Sequence, residues 1–438
     1  MSFRSLVKAV IPRQLFKKIE PYGHLGEAVL INTLNGFPSR GLKVIGVTGT
    51  NGKSTTCFLI HKMMHEAGYK VGLMTTIAYG AGMDIKPQDE HMTTSSVPKT
   101  LKRIKYLKSQ GIEWLVLETT SQGLAQHRVW GVPYSIAVMT NVTHEHLDYH
   151  GTFENYRAAK IKLFELTNKN RGGLRTGVIN ADDPAAELFA KAIKHPITYG
   201  VKGGELKATD IKSSATGSEF SVSSSANGNL KLRIKTHLPG TFNIHNSLAA
   251  VGVGLALGIE PGQIEQGIAS LKQVEGRMNS IDEGQGFSVI VDYAHTPDSF
   301  EKLFKDLEPN VKGKLIVMFG SAGGQRDPAK RPIQGEIAGK YADEIILTEE
   351  DDRNTPGMQI LDEIATGAEK AGKQRDKNLF LVHDRTKAIE FTIGLAKDKD
   401  DVVLLLGKGH EKTIDRAGGE EPWDEVKTAR TAIHNRLK

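Results

Sequence analysis

Residues 44–55 read VIGVTGTNGKST, an apolar run that breaks into Gly49-Thr50-Asn51-Gly52 and then Lys53-Ser54-Thr55. A common P-loop would place glycine at 47, where valine stands; the glycines are instead at 46, 49 and 52. The chemistry survives the shift. Successive backbone N–H groups at a strand-to-helix turn, with a helix N-terminus behind them, form a concave anion site. Lys53 is placed to reach β- and γ-phosphates, and Ser54 to offer its hydroxyl to Mg²⁺. Glu118 ends another apolar run, IEWLVLE, where a carboxylate can hold the same cation. His144, His146 and His150 also suggest zinc, but no cysteine joins them and a nucleotide site already calls for a hydrated cation. A structural role is expected for two of the three.

Such groups need strands that end at one edge. KVIGV, IEWLVLE, SIAVMTNV and TGVIN read as buried parallel strands, with helices over 54–67 and 152–167 between them. Residues 209–238 alternate polar and apolar around Asn227-Gly228, which predicts an antiparallel hairpin. A small-residue helix follows, entered through Asn243–Asn246. After about residue 275 a second series begins, FSVIVDY, KLIVMFG, DEIILTE, NLFLVHD and DVVLLLG. The expected fold class is α/β. A helical segment over 1–42 leads into a central mononucleotide-binding domain of P-loop type over 43–275. A Rossmann-like domain over 276–438 completes it.

Composition excludes several classes. The 57 Lys and Arg against 51 Asp and Glu leave a net charge of +6, without the basic block or interleaved aromatics of a nucleic-acid binder. The single cysteine, Cys57, cannot form an intramolecular disulfide, fits a reducing cytoplasm and reads as a small core residue. No apolar stretch approaches the roughly 20 residues of a membrane span, and the N-terminus lacks the pattern of a secretory signal. Its Lys8, Arg13, Lys17 and Lys18 read as a solvated helix face. A cytoplasmic monomer, without nucleic acid and without stable membrane insertion, is expected.

The motifs GVTGTNGKST, ETTSQGLAQHRV, TNVTHEHLDYHGTFENYRAAK, LPGTFNIHNSLAA, EGRM, VDYAHTPDS, GSAGGQRDPAKRP and GKGHE occur in this order. Together they resemble the Mur ligases, in particular the members that add the third residue of the peptidoglycan stem peptide. The resemblance implies ATP-dependent amide formation. The acceptor carboxylate attacks the γ-phosphate to give an acyl phosphate, which the incoming amine then attacks. It also implies that Gly49 to Thr55 bind ATP phosphates, with Lys53 among them, and that Ser54, Glu118 and His146 hold Mg²⁺. Lys160 matches a lysine that the family carries as a CO₂-derived carbamate; from the sequence alone it reads as a solvated helix lysine. Asn246, Arg277, Asp292 and His295 match positions around the nucleotide, the last three from the C-terminal domain.

For the acceptor, a UDP-muramoyl-dipeptide, the resemblance implies Thr93, Thr94, Thr120, Gln126 and Arg128. Two positions depart from the family pattern. Met92 stands where asparagine is usual, and TSQGL replaces SSHGL. For the incoming amino acid it implies Arg326, Gly407 and Glu411. The family's diaminopimelate-selecting DNPR is EDDR here, Glu350 to Arg353. Arg353 can pair with a distal carboxylate, whereas Asp351 and Asp352 add charge that would welcome a cationic side chain such as lysine's. Diaminopimelate is the expected amine and lysine the alternative. Members also carry an α/β domain that grips UDP ahead of the first strand. Only about 42 residues precede it here, too few for such a domain, so the acceptor is expected to be held mostly through its muramoyl-peptide end. The alternative reading keeps the ligase chemistry on another carboxylate, as in folylpolyglutamate, cyanophycin and poly-γ-glutamate synthetases. A P-loop phosphotransferase or ATPase is a more distant one.

Overall fold

The structure, a computed structural model, describes residues 13–88, 92–143, 145–214, 217–228, 230–324 and 326–438, with backbone alone at 13–19, 21, 147 and 148. Lys8 and His144 lie outside the described residues, as do the side chains of Arg13, Lys17 and Lys18. The chain divides into two compact units, one of residues 1–210, 220–234 and 245–270, the other of residues 211–219, 235–244 and 271–438.

After helix α1 (Arg13–Leu34), strand β1 (Lys43–Thr48) leads through the glycine turn into α2 (Lys53–Glu66). Then come β2 (Val71–Met74), β3 (Ala78–Ala81), β4 (Asp84–Pro87), α3 (Val97–Ser109), β5 (Trp114–Glu118), α4 (Ser121–Ala125) and β6 (Tyr134–Met139). The series continues with α5 (Phe153–Lys169), β7 (Thr176–Asn180), β8 (His195–Gly200), β9 (Leu206–Ser214), β10 (Gly217–Ser224), β11 (Lys231–Thr236) and α6 (Thr241–Ala256). The sheet order is β11-β10-β9-β8-β7-β6-β1-β5-β2-β3-β4. β1 lies at its centre, parallel to both β5 and β6. The expected hairpin is present, β10 and β11 being neighbours across the loop that holds Asn227-Gly228. Strand β2 and the antiparallel β3–β4 pair are short runs that the sequence pattern did not single out.

The apolar run of β1 is continuous because both of its faces are covered. Val44 joins a core with Leu115, Tyr134, Leu163 and Phe164, while Ile45 and Val47 face the other way, toward the side along which α2 runs. Gly46, the first glycine of the motif, belongs to this packing. A Cβ there would stand 2.6 Å from the Tyr134 ring and 2.7 Å from Leu163. It makes room for a tyrosine, and only Gly49 and Gly52 shape the turn.

The second unit carries a six-stranded sheet in the order β12-β13-β17-β14-β15-β16. Its elements are β12 (Asn279–Ile281), β13 (Ser288–Asp292), α7 (Pro297–Leu307), β14 (Leu315–Phe319), α8 (Lys330–Tyr341), β15 (Glu344–Leu347), α9 (Gly357–Lys370), β16 (Leu379–Leu381), α10 (Arg385–Leu395), β17 (Val402–Leu406), β18 (Thr413–Arg416), β19 (Gly419–Pro422) and α11 (Glu425–Leu437). Leu315, Val317 and Phe319 of β14 pack with Phe300, Phe304 and Ile364 on one face. Ile316 and Met318 pack with Ile389, Ile393 and Ile433 on the other. Period-two alternation under helices on both faces makes this a doubly wound sheet. Arg385 is fully buried and makes four hydrogen bonds: Nε and Nη2 hold the two Glu425 oxygens at 2.9 and 2.6 Å, and Nη1 and Nη2 donate to the carbonyls of Glu349 and Leu406 at 2.8 and 2.7 Å. Burial works to lower its pKa, but Glu425, Glu350 and Glu349 together hold it raised. Cys57 is buried and its thiol pushed up by burial, as a core residue.

Candidate functional site

In open α/β sheets ligands bind beyond the carboxyl ends of strands where the winding changes direction. β1 is such a place, since the chain runs from it to one side of the sheet and later returns to the other. Here the turn 49–52, Glu118 at the end of β5 and Thr140-Asn141 after β6 come together. The Thr50 amide donates to the Asn141 carbonyl at 2.8 Å, and the Asn51 amide to Asn141 Oδ1 at 2.9 Å. Thr140 Oγ1 and Asn141 Nδ2 both donate to the Asn51 carbonyl, at 2.6 and 3.1 Å. Thr50 and Asn51 thus spend their amides on shaping the turn. The first intrahelical bond of α2 runs from Thr56 N to Gly52 O at 2.9 Å, so the amides of Lys53, Ser54 and Thr55 precede it and form the helix's positive end. Gly52 has φ +81°, and a Cβ on it would lie 2.4 Å from Asn246 Oδ1. That same oxygen accepts from Thr56 Oγ1 at 3.1 Å, which sets Asn246 of α6 against the turn.

Ser54 Oγ donates to Glu118 Oε2 at 2.8 Å, and the Thr76 amide donates to the same oxygen at 3.0 Å. Glu118 is buried. A hydroxyl and a carboxylate, both hard oxygen donors and already in contact under a helix N-terminus, fit Mg²⁺. Lys53 Nζ lies on the Thr50 carbonyl at 2.7 Å. Lys160, on α5, donates to the Gly49 carbonyl at 2.6 Å and is only 2% exposed. It is not a solvated helix lysine. Burial, and next the charge of Lys53, drive its pKa well below that of a free lysine, against the pull of Glu145 and Glu118.

Tyr156 organises this corner. Its hydroxyl shares a 3.0 Å hydrogen bond with Thr50 Oγ1. Lys160 Nζ lies 4.4 Å from its ring centroid, and the rings of His146 and His150 lie 6.2 and 5.3 Å away. His146 has φ +54° and its Nε2 lies 3.8 Å from Glu145 Oε2. His150 Nε2 is 3.0 Å from Ser121 Oγ, a tie to α4 that fits the expected structural role.

The five acceptor candidates also converge, with Thr94 as their hub. Thr94 Oγ1 donates to the Glu118 carbonyl at 3.3 Å and accepts from the Thr120 amide and hydroxyl, both at 3.0 Å. Thr120 caps α4 through the Gly123 amide. Arg128 Nη1 donates to the Thr94 carbonyl at 2.8 Å, and its Nε to Gln126 Oε1 at 2.9 Å. Thr93 accepts from Thr76 Oγ1 at 2.8 Å. Met92, at the departing position, places its sulfur 3.5 Å from Arg128 Nη1.

In the second unit the candidates sit at or beyond the carboxyl ends of β13, β14, β15 and β17, except Arg277, which precedes β12. Asp292 Oδ2 and Oδ1 accept the Met278 and Ala294 amides at 2.8 and 2.7 Å. Burial raises its pKa, and Arg277 opposes the rise. Arg277 and His295 flank Tyr293, the guanidinium 4.6 Å from the ring centroid and the imidazole centroid also 4.6 Å away. The Gly407 amide donates to the Asp292 carbonyl at 3.2 Å. In EDDR, Asp351 accepts from Lys408 at 2.8 Å and Asp352 from His383 at 2.6 Å. Arg353, at φ +52°, donates through Nε to Asp415 Oδ2 at 3.0 Å. Arg326 is exposed after β14. Asn141, Glu145, Tyr156, Tyr293, Lys408 and Asp415 were missed by sequence reasoning. All but Asp415 stand inside quoted motifs, and Asp415 carries no local signal.

Among the described residues, Glu349, Asp352 and His383 form a group of potential metal ligands. Arg416 already pairs with both Glu349 oxygens, at 2.7 and 2.8 Å, so the group reads as an ion-pair network. No helix among the described residues is long and apolar enough to cross a membrane.

The turn, the Ser54–Glu118 pair and the two lysines define a nucleotide-dependent enzyme of P-loop type. The Mur ligase middle domain model matches residues 47–254, and that of the Mur ligase, glutamate ligase domain matches residues 276–409. A UDP-N-acetylmuramyl-tripeptide synthetase of Roseiflexus sp. is 39% identical over 94% of this chain and 82% of its own length. A UDP-N-acetylmuramoyl-L-alanyl-D-glutamate--2,6-diaminopimelate ligase of Syntrophomonas wolfei is 38% identical over 88% of this chain and 76% of its own. A solved structure of a ligase of that same name superposes with a TM-score of 0.63 at 30% identity, covering 91% of this chain and 80% of that one. The chain belongs to the Mur ligase family, whose members form amide bonds at the expense of ATP with Mg²⁺.

Proposed function

We propose that this protein adds an amino acid to UDP-N-acetylmuramoyl-L-Ala-D-Glu, making the third peptide link of the peptidoglycan stem through an acyl phosphate. The observation that carries the reading is the Ser54–Glu118 contact at 2.8 Å beneath the N-terminus of α2, with Lys53 and the buried Lys160 on the same turn. Phosphoryl transfer asks a protein for positioning and charge stabilisation more than for a covalent nucleophile. The amides of 53–55 and the Lys53 ammonium bind and orient the triphosphate. Ser54, Glu118, His146 and Lys160 as its carbamate would hold Mg²⁺, which supplies positive charge to the β- and γ-oxygens. Thr93, Thr94, Thr120, Gln126 and Arg128 hold the muramoyl-dipeptide. Asn246, Arg277, Asp292 and His295 serve the nucleotide. Arg326, Gly407 and Glu411 receive the amino acid.

Diaminopimelate is the amine we favour over lysine. Asp351 and Asp352 have their charges answered by Lys408 and His383, so neither is spare for a cationic side chain. Arg353 Nε is held by Asp415 at 3.0 Å. Its Nη1 and Nη2 make only long contacts, 3.5 Å to the Gly323 carbonyl and 3.8 Å to Asp351 Oδ2, which a distal carboxylate would replace with a stronger pair. Glu350 Oε2 is buried without a hydrogen-bond partner among the described residues and suits the distal ammonium that both amines carry, so the choice between them rests on Arg353. Arg353→Ala is therefore expected to raise KM for diaminopimelate about 10–100-fold, the worth of a charge-assisted pair, and to leave lysine's within about threefold. Equal losses for both would reject this role.

MgATP-dependent phosphate release, measured with the UDP-muramoyl-dipeptide and diaminopimelate, lysine or no amine, tests the whole reading. Release should require both the dipeptide and one amine. Binding of ATP without stimulation by this acceptor would point to the same ligation on another carboxylate.

A further inference from the structure

Two motifs carry groups to which the reaction above gives no work, Tyr293 of VDYAHTPDS and Lys408 of GKGHE. Lys408 is an ammonium with no exposed surface. Burying such an ion is costly unless it is paired and hydrogen-bonded, and here it has two carboxylates. Its Nζ lies 2.8 Å from Asp351 Oδ1, on the segment after β15, and 2.6 Å from Glu411 Oε2, on the segment after β17. The other Glu411 oxygen, Oε1, accepts from the Tyr293 hydroxyl at 3.1 Å, and Tyr293 follows β13. Asp351 Oδ1 also accepts the Asp415 amide at 3.0 Å, and Asp415 in turn holds Arg353. Both oxygens of Glu411 are thus fixed in direction, each with a further lone pair to offer. Burial works against the Lys408 charge, but Glu411 and Asp351 outweigh it and hold its pKa above that of a free lysine. Tyr293 cannot swing away, since its ring is held between His295 and His410, with Arg277 also on it.

We propose that Lys408 is a positioning residue for amine capture, with Tyr293 as its second support. It ties Asp351 and Glu411 into one unit, so that three strand ends present Glu411 to the incoming amino group in a single orientation. A carboxylate free to rotate would bind the ammonium equally often in unproductive directions. Fixing it beforehand removes that ordering cost from substrate binding. The proposal rests on the reading that Glu411 faces the incoming amino acid.

The test is steady-state kinetics of the full chain, with the amine varied at saturating MgATP and UDP-muramoyl-dipeptide, and then ATP varied. Tyr293→Phe removes one hydroxyl and keeps the packed ring. It is expected to raise KM for the amine about tenfold, as for a lost hydrogen bond to a charged group, with KM for ATP within about twofold. Lys408→Met should raise it more, and Lys408→Arg, which keeps the charge but not the compact geometry, should recover part of the loss. Lys408→Met combined with Glu411→Gln should lose clearly less than the product of the two single losses, because what Lys408 does through Glu411 is already gone once that carboxylate is removed. An unchanged amine KM in Tyr293→Phe, or losses that multiply in the double variant, overturns the proposal. Should Lys408→Met fail to fold, Tyr293→Phe decides by itself. Failure of the underlying reading looks different: Glu411→Gln would leave the amine KM unchanged, which removes this proposal as well.

Discussion

Lys53→Ala is expected to lower phosphate release by about 10²–10³-fold, the loss typical of removing one fixed stabiliser of transition-state charge. Its Nζ is held by the Thr50 carbonyl on the turn itself, a single short contact. Lys160, the other lysine on the turn, cannot replace it. Its pKa is driven well down chiefly by burial, which persists when the charge of Lys53 is gone, and its Nζ is tied to Gly49. Lys53 sits at a helix start and is only partly buried, so the melting temperature should move by no more than about 2 °C. Activity loss without stability loss separates a phosphate ligand from a folding element. Unchanged turnover in a folded Lys53→Ala protein would remove the phosphate site.

Lys160→Ala carries the second large effect. Burial lowers the pKa of Lys160 and so favours the neutral amine, the form that can add CO₂, giving N-carboxylate and releasing a proton. The product is an anion beside the Mg²⁺ ligands where the parent would be a neutral amine or a cation. Turnover is expected to fall by about 10²-fold or more and to be partly restored by small carboxylates such as acetate. The intact protein should carry the added mass of CO₂ on Lys160. A fully active Lys160→Ala protein would end the idea. An independent check uses pH. Because the folded-state pKa is lowered, the unfolded chain binds the extra proton between that depressed value and about 10.4. Over that window stability rises with pH. In CO₂-free buffer the stability of wild type relative to Lys160→Met should therefore grow as pH rises toward about 10.4. A pH-independent difference would mean that the lysine is not held neutral.

Much of this was legible beforehand, for definite reasons. β1, β5, β6 and β7 are buried on both faces, so their apolar runs stand out. The turn 49–54 declares itself by residue type. What stayed hidden depended on distant partners. Lys160 reads as solvent-facing because nothing within its own helix says that α5 lies against the glycine turn; only Gly49, 111 positions away, supplies its acceptor. Gly46 looks like part of the phosphate motif, but the reason for its missing side chain is Tyr134 on the neighbouring strand. The EDDR segment reads as three negative charges and one positive. Only tertiary contacts show that Lys408, His383 and Asp415 have already answered three of the four.

The Arg385–Glu425 pair bears on how this protein can be handled. Glu425 opens the last helix, and its carboxylate is the counter-ion of a guanidinium that also grips the carbonyls of Glu349 and Leu406, just ahead of the two segments that carry Arg353 and Glu411. A shortened chain ending before 425 would remove both the counter-ion and the apolar cover of Ala429, Ala432 and Ile433, and Glu425→Ala alone, by leaving the cation buried and unpaired, would cost about 3–5 kcal/mol. The damage would surface some 15 to 75 residues upstream, as poorly ordered substrate loops. The final thirteen-residue helix is thus a keystone of the amino-acid side of the enzyme, and a tag appended beyond Lys438 is tolerable where a trim is not.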